Sequence, residues 1–169
     1  MRKTAFSILL LAMVAALAGS AISYVNSITA PIIEYNVANE ERENLLKMFP
    51  EGEFTELDGY TENEYILSVY EVKGRGYIVK GTAYGYNSST PIIVLIGFDT
   101  QGRTIGFSAL QQQETSGYGA RCFEKDFIQN NYVNKTAEEG IDALSGATRT
   151  SSALSKIMEA AFRAVAEVR

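Results

Sequence analysis

The chain has 169 residues, roughly one domain with a little to spare, and its 46% apolar and 21% charged residues are those of a globular protein. It has no histidine and a single cysteine, Cys122. That excludes Ser-His-Asp and Cys-His nucleophiles, histidine-held metal or haem, an intramolecular disulfide and a cysteine-held iron–sulfur cluster. A net charge of −5 argues against a nucleic-acid partner, which asks for a basic face. No catalytic residue set and no metal cluster is expected, so any redox chemistry must come from a cofactor held by other means.

Arg2 and Lys3 are the only charges before Glu34, and residues 5–25 form an uncharged run with a strongly apolar stretch at 8–17. About 20 such residues, as a helix, cross the hydrocarbon core of a bilayer. Two readings fit: a retained anchor over residues 1–33, or a cleaved signal peptide with Ala16-Leu17-Ala18 as the small-x-small site. The apolar character continues through Ile22, Val25, Ile28, Ile32 and Ile33, which favours the anchor. In both, Arg2 and Lys3 predict a cytoplasmic N-terminus. Residues 34–169 are then expected to form one extracytoplasmic domain held at the cytoplasmic membrane, with membrane lipid as a partner.

Pro31 is expected to end or bend this helix. Residues 37–49, with Val37, Leu45, Leu46, Met48 and Phe49 set against Glu40–Glu43, predict a short amphipathic helix stopped by Pro50. A β-rich middle follows, with strands over 65–72 and 77–84 joined at Gly74-Arg75-Gly76. A run at 91–98 reads as a strand buried on both faces, and a turn at 99–102 leads to a strand at 104–110. Leu154, Ile157, Met158, Ala161, Val165 and Val168 then recur at helical spacing, opposite Lys156, Glu159, Arg163 and Glu167. The expected fold class is α+β: an antiparallel meander of about four strands packed against a long C-terminal helix, with one N-terminal transmembrane helix.

Two segments stand outside this pattern. Residues 142–151 precede the last helix and carry Asp142, Ser145, Thr148, Thr150 and Ser151 around Gly146. They read either as a helix cap and tight turn or as an anion site, where hydroxyls and exposed amides at the positive helix end suit a phosphate. Gly146 and Ala147 leave the backbone open to close approach. Residues 111–120 read either as a polar loop closing a strand or as a ligand loop, with Tyr118 between Gly117 and Gly119 placed to lie beside a flat molecule.

The run Asp142-Ala-Leu-Ser-Gly-Ala-Thr148, followed by Arg149-Thr150-Ser151, resembles the flavinylation motif of the FMN-binding domain family, found in subunits of Rnf-type and sodium-pumping NADH:quinone oxidoreductase complexes. Gln113-Glu114-Thr115-Ser116-Gly117-Tyr118-Gly119 is similar to the family's Glu-Thr-Pro-Gly-x-Gly loop, with Ser116 where the family has proline. The resemblance implies FMN joined covalently through a phosphoester at Thr148. Asp142, Ser145, Gly146, Ala147, Thr150 and Ser151 would support it on one side, and Glu114, Thr115, Gly117, Tyr118 and Gly119 on the other. It further implies an electron-carrier subunit of a membrane-bound, ion-translocating ferredoxin:NAD+ oxidoreductase. The implied partners are other membrane and iron–sulfur subunits and a magnesium-dependent flavin transferase that uses FAD as donor. The alternatives are a stand-alone membrane-anchored FMN-domain protein serving another reductase, and a cofactor-free assembly module.

Overall fold

The structure, a computed structural model, describes residues 2–60, 63–139 and 141–169. The chain divides into two compact units, Met1–Glu41 and Arg42–Arg169. Helix α1 is continuous from Arg2 to Met48, with Pro31 inside it, and supplies nearly all of the first unit. Its apolar side chains between Phe6 and Val37 are exposed, and they surround the helix instead of forming one stripe, the mark of a helix suited to an apolar solvent. By length and composition it can cross a membrane. The hydroxyls of Ser20, Ser27 and Thr29 turn back onto their own helix, donating to the carbonyls of Ala16, Tyr24 and Val25 at 2.8, 2.7 and 3.0 Å. No protein partner is needed to satisfy them.

The helix does not end at Pro31, and residues 37–48 are its continuation, not a separate element. Proline's fixed φ is itself helical. What it removes is one backbone hydrogen bond, a loss that long apolar helices tolerate.

In the second unit five strands form one antiparallel sheet in sequence order: β1 (Phe54–Leu57), β2 (Ile66–Val72), β3 (Gly76–Ala83), β4 (Ile92–Asp99) and β5 (Thr104–Gln111). The four expected strands are β2 to β5. β1 is an additional edge strand pairing Phe54 with Val72 and Leu57 with Val69; four half-exposed residues carry too little alternation to announce themselves. Helix α3 (Thr148–Val168) lies on one face, where Leu154, Ile157, Met158, Ala161 and Val165 pack with Val79, Val94, Ile96 and Phe98. The last turns of α1 cover the other, where Leu45 and Phe49 meet Val72, Ile78 and Leu95. β4 is therefore buried on both sides, as its unbroken apolar run predicts.

The second core is small, so each of its members counts. Phe49→Ala is expected to cost about 3–5 kcal/mol, because a phenyl group that is 3% exposed would leave a cavity between α1 and the sheet. Thermal unfolding of the full chain in detergent checks this.

Beyond β5 the chain makes a short 3₁₀ helix (Gly119–Phe123) and helix α2 (Lys125–Asn131), both too short to show a period. Tyr132 then stacks on Phe107 with ring centroids 4.4 Å apart, and Asn134 and Lys135 exchange backbone hydrogen bonds with Thr104, covering the free edge of β5.

Candidate functional site

β3 and β5 are both antiparallel to β4, so their C-terminal ends emerge at the same end of the sheet. The loops that follow them, 84–90 and 112–118, are therefore neighbours. Asn87 Nδ2 donates to the Gln113 carbonyl at 3.1 Å, and Thr90 Oγ1 donates to Gln113 Oε1 at 3.1 Å. α3 begins beside them.

Glu114 joins all three segments. Its buried carboxylate accepts hydrogen bonds from the Tyr86 and Asn87 backbone N–H groups, both at 3.2 Å, and from the Thr150 hydroxyl at 2.5 Å. Such charge-assisted bonds are roughly twice as strong as neutral ones. The arrangement has no room for another atom: a β-carbon on Gly119 would lie 2.6 Å from both Glu114 Oε2 and Thr150 Oγ1. Gly119 therefore packs closely into the site's frame, and it also lines the cavity.

The segment before α3 is a tight turn closed by the Ala147 N–H on the Leu144 carbonyl at 2.9 Å. Gly146 has φ +84° at its third position, which a type II turn requires. Buried Ser151 clamps this turn from below. Its Oγ accepts from the Leu144 N–H and donates to the Ala147 carbonyl, both at 3.1 Å, with Cys122 Sγ 3.6 Å away. Burial pushes the Cys122 thiol above its ordinary range. Cys122 is therefore expected to resist iodoacetamide at mildly alkaline pH in the folded chain and to react once the chain is unfolded, as mass analysis after alkylation would show.

The residue preceding α3 is Ala147, and no side chain caps the helix. The capping expected of Asp142, Ser145, Thr148, Thr150 or Ser151 does not occur. The opening amides of a 21-residue helix thus lack a side-chain acceptor, and the helix dipole adds positive potential at that point. In front lies a cavity of about 490 Å³, within the usual range of small-molecule sites. The helix side of its wall holds Thr148, Arg149 and Thr150 with the backbone of Gly146 and Ala147. The facing wall holds Thr115, Tyr118, Gly119 and Tyr86. The Tyr118 ring lies over the turn, its Cδ1 3.7 Å from where a Gly146 β-carbon would be. Thr148 and Arg149 are exposed, and Tyr86 and Tyr118 are more than 60% exposed.

Of the sequence-expected residues, the structure brings Thr115, Tyr118, Gly119, Gly146, Ala147, Thr148 and Thr150 to this cavity. Glu114 and Ser151 stand behind its walls as braces, while Asp142, Ser145 and Gly117 are exposed and are not among its lining. Tyr86 and Arg149 line the cavity as well, although the sequence reading does not single them out. The tyrosine pair around Gly85 and the cation next to Thr148 are the signals that could have found them. The group this cavity suits has a phosphate for the helix terminus and Arg149, and a flat ring for the tyrosines.

Residues 85–163 match the model of the FMN-binding domain, a span that runs from the Tyr86 loop through most of α3 and takes in every element of the cavity. The chain is also similar to the G subunit of the proton-translocating ferredoxin:NAD(+) oxidoreductase complex of Clostridium ljungdahlii, with 24% identity over 161 residues, 88% of this chain and 84% of the relative. Through residues 85–163, just under half of the chain, and the antiparallel sheet and terminal helix that frame them, the chain is similar to the FMN-binding domain family.

Proposed function

We propose that this chain is the flavin-carrying electron-relay subunit of an Rnf-type, ion-translocating ferredoxin:NAD+ oxidoreductase, with FMN joined by a phosphoester to Thr148. One observation carries the proposal: an uncapped helix terminus whose Thr148 and Arg149 line a cavity flanked by two exposed tyrosines. The relative's name supports the assignment to such a complex, and the long apolar helix supports residence in a membrane.

In this reading residues 1–33 anchor the chain, with the N-terminus cytoplasmic and residues 34–169 extracytoplasmic. A magnesium-dependent flavin transferase supplies FMN from FAD. The Thr148 Oγ–phosphorus bond replaces the phosphoanhydride bond, and AMP leaves. When bound, FMN supplies the electron chemistry. The chain's own residues would hold it: the α3 amides and Arg149 would take the phosphate, Tyr86 and Tyr118 would shield the ring, and Glu114 keeps the walls together. Permanent attachment removes the cost of rebinding, about 4–15 kcal/mol of lost freedom, and prevents escape on the outer face of the membrane. Membrane and iron–sulfur subunits of the complex are its electron partners.

The test is the mass of the tryptic peptide covering residues 136–149, taken from the chain purified from its own host. It is expected to be heavier by FMN less one water, with the addition on Thr148. An unmodified peptide in every preparation would overturn the proposal in favour of a cofactor-free assembly module.

A further inference from the structure

Glu114 ties three segments together, but bracing alone does not explain why the brace is a carboxylate. Its partners are the Tyr86 and Asn87 N–H groups and the Thr150 hydroxyl, all donors and all neutral. Three donors suit the ionised form, and none of them offsets its charge. The residue is 8% exposed. Taking a charge out of water without a counter-charge is costly, and neutral groups brace protein interiors with a smaller desolvation penalty.

The carboxylate is pressed against bare backbone on two sides. A β-carbon on Gly85 would lie 2.6 Å from Oε1, and one on Gly119 would lie 2.6 Å from Oε2. Gly119, Thr150 and Tyr86 are also wall residues of the cavity beside Thr148. The charge therefore stands directly behind that wall, where a protein's low effective dielectric lets it act strongly. It is already felt at a neighbour: burial first, and then the Glu114 charge, push the Cys122 thiol up. The cation in the cavity's lining is Arg149, and in the proposed reading it takes the phosphate. That leaves the negative charge of Glu114 unopposed among the lining and bracing residues.

We infer that Glu114 sets the reduction potential of the site: its buried charge opposes the arrival of electrons in the adjoining cavity and holds the bound flavin at a lower potential. The inference rests on that cavity being the FMN site. At mildly alkaline pH the flavin ring takes two electrons from a reductant and one proton from solvent, so it gains one net negative charge. A like charge behind the wall disfavours that reduced form. Thr150 acts in the opposite sense, because its hydroxyl donates to Oε2 and damps the charge.

The test is the midpoint potential of the flavin-loaded full chain in detergent, titrated with dithionite in the presence of redox dyes and read from the flavin absorbance. Glu114→Gln removes the charge and keeps a side chain of the same shape. It is expected to favour the reduced form about tenfold, a rise of about 30 mV for a two-electron couple. Thr150→Val keeps the charge and takes one donor from it. It is expected to disfavour the reduced form about threefold, a fall of about 15 mV. Both variants loosen the same wall, so a merely structural role would move both potentials in one direction. Both shifts should persist from about 0.05 to about 0.5 M salt, because the charge is buried. An unmoved potential in Glu114→Gln, a rise in both variants, or shifts lost at the higher salt would overturn the inference. Should Glu114→Gln carry too little flavin to titrate, Thr150→Val decides alone: a fall supports the inference and any other result overturns it. A dark wild-type band on a denaturing gel would instead sink the FMN assignment beneath it.

Discussion

Glu114→Ala is expected to lower the unfolding free energy by about 3–5 kcal/mol and to abolish most flavin loading. The substitution leaves the Tyr86 and Asn87 N–H groups and the Thr150 hydroxyl without their acceptor. Breaking a buried charged hydrogen-bond network by removing one member typically costs this much. For a domain of this size that corresponds to a melting temperature lower by about 10–20 °C. Glu114→Gln is the informative companion. Its carbonyl can replace Oε2 and keep Tyr86 and Thr150, but its amide then points a donor at the Asn87 donor. The expected cost is about 1–3 kcal/mol, with flavin loading reduced but measurable. Thermal unfolding and in-gel fluorescence measure the two effects on the same samples. Equal stability of wild type and Glu114→Ala would show that Glu114 is not the brace described.

Thr148→Ala is expected to remove covalent flavin completely while leaving the fold within about 0.5 kcal/mol of wild type, because the side chain is exposed and makes no cap. Thr148→Ser should retain a fluorescent band. Within the turn and the first turn of α3, no other hydroxyl is placed to substitute. Ser145 is not among the cavity's lining, Ser151 is buried under the turn, and Thr150 spends its hydroxyl on Glu114. Thr150→Val separates attachment from positioning. It keeps the acceptor oxygen of Thr148 but cuts the tie between α3 and Glu114, so a weaker fluorescent band and a loss of about 1–2 kcal/mol are expected. Full fluorescence in denatured Thr148→Ala would place the bond elsewhere.

Much of the fold follows from short-range pattern. β2 to β5 alternate or run apolar over six to eight residues, and α3 repeats every three to four. The uncharged N-terminal run forms one long helix, apolar enough to cross a membrane by length and composition. β1, the 3₁₀ helix and α2 escape notice because four to seven residues cannot establish a period against partial exposure. Pro31 does not end the helix, for a different reason. Its usual meaning comes from helices in water, and here the helix continues through it.

The candidate site divides the same way. Thr148, Gly146 and Tyr118 can be singled out from two unusual stretches of sequence, and Glu114 enters with the resemblance. Their arrangement cannot. Which hydroxyl caps the helix depends on the backbone angle at Ala147, and none does. Glu114 binds groups 27, 28 and 36 residues away, and that distance along the chain carries no local trace. Tyr86 and Arg149 enter only once β3 and β5 are seen to end together.

The amino-acid order by itself therefore determined the longer elements and the chemistry available, because an extended helix or strand and a hydroxyl-rich turn are decided by neighbours along the chain. The tertiary structure decided which residues face the cavity, which brace it from behind, and that a second cavity shares Arg149 with the first. Those outcomes depend on strand register and on buried polar groups finding partners far away in sequence, and such partners become definite only when the sheet and α3 close on one another.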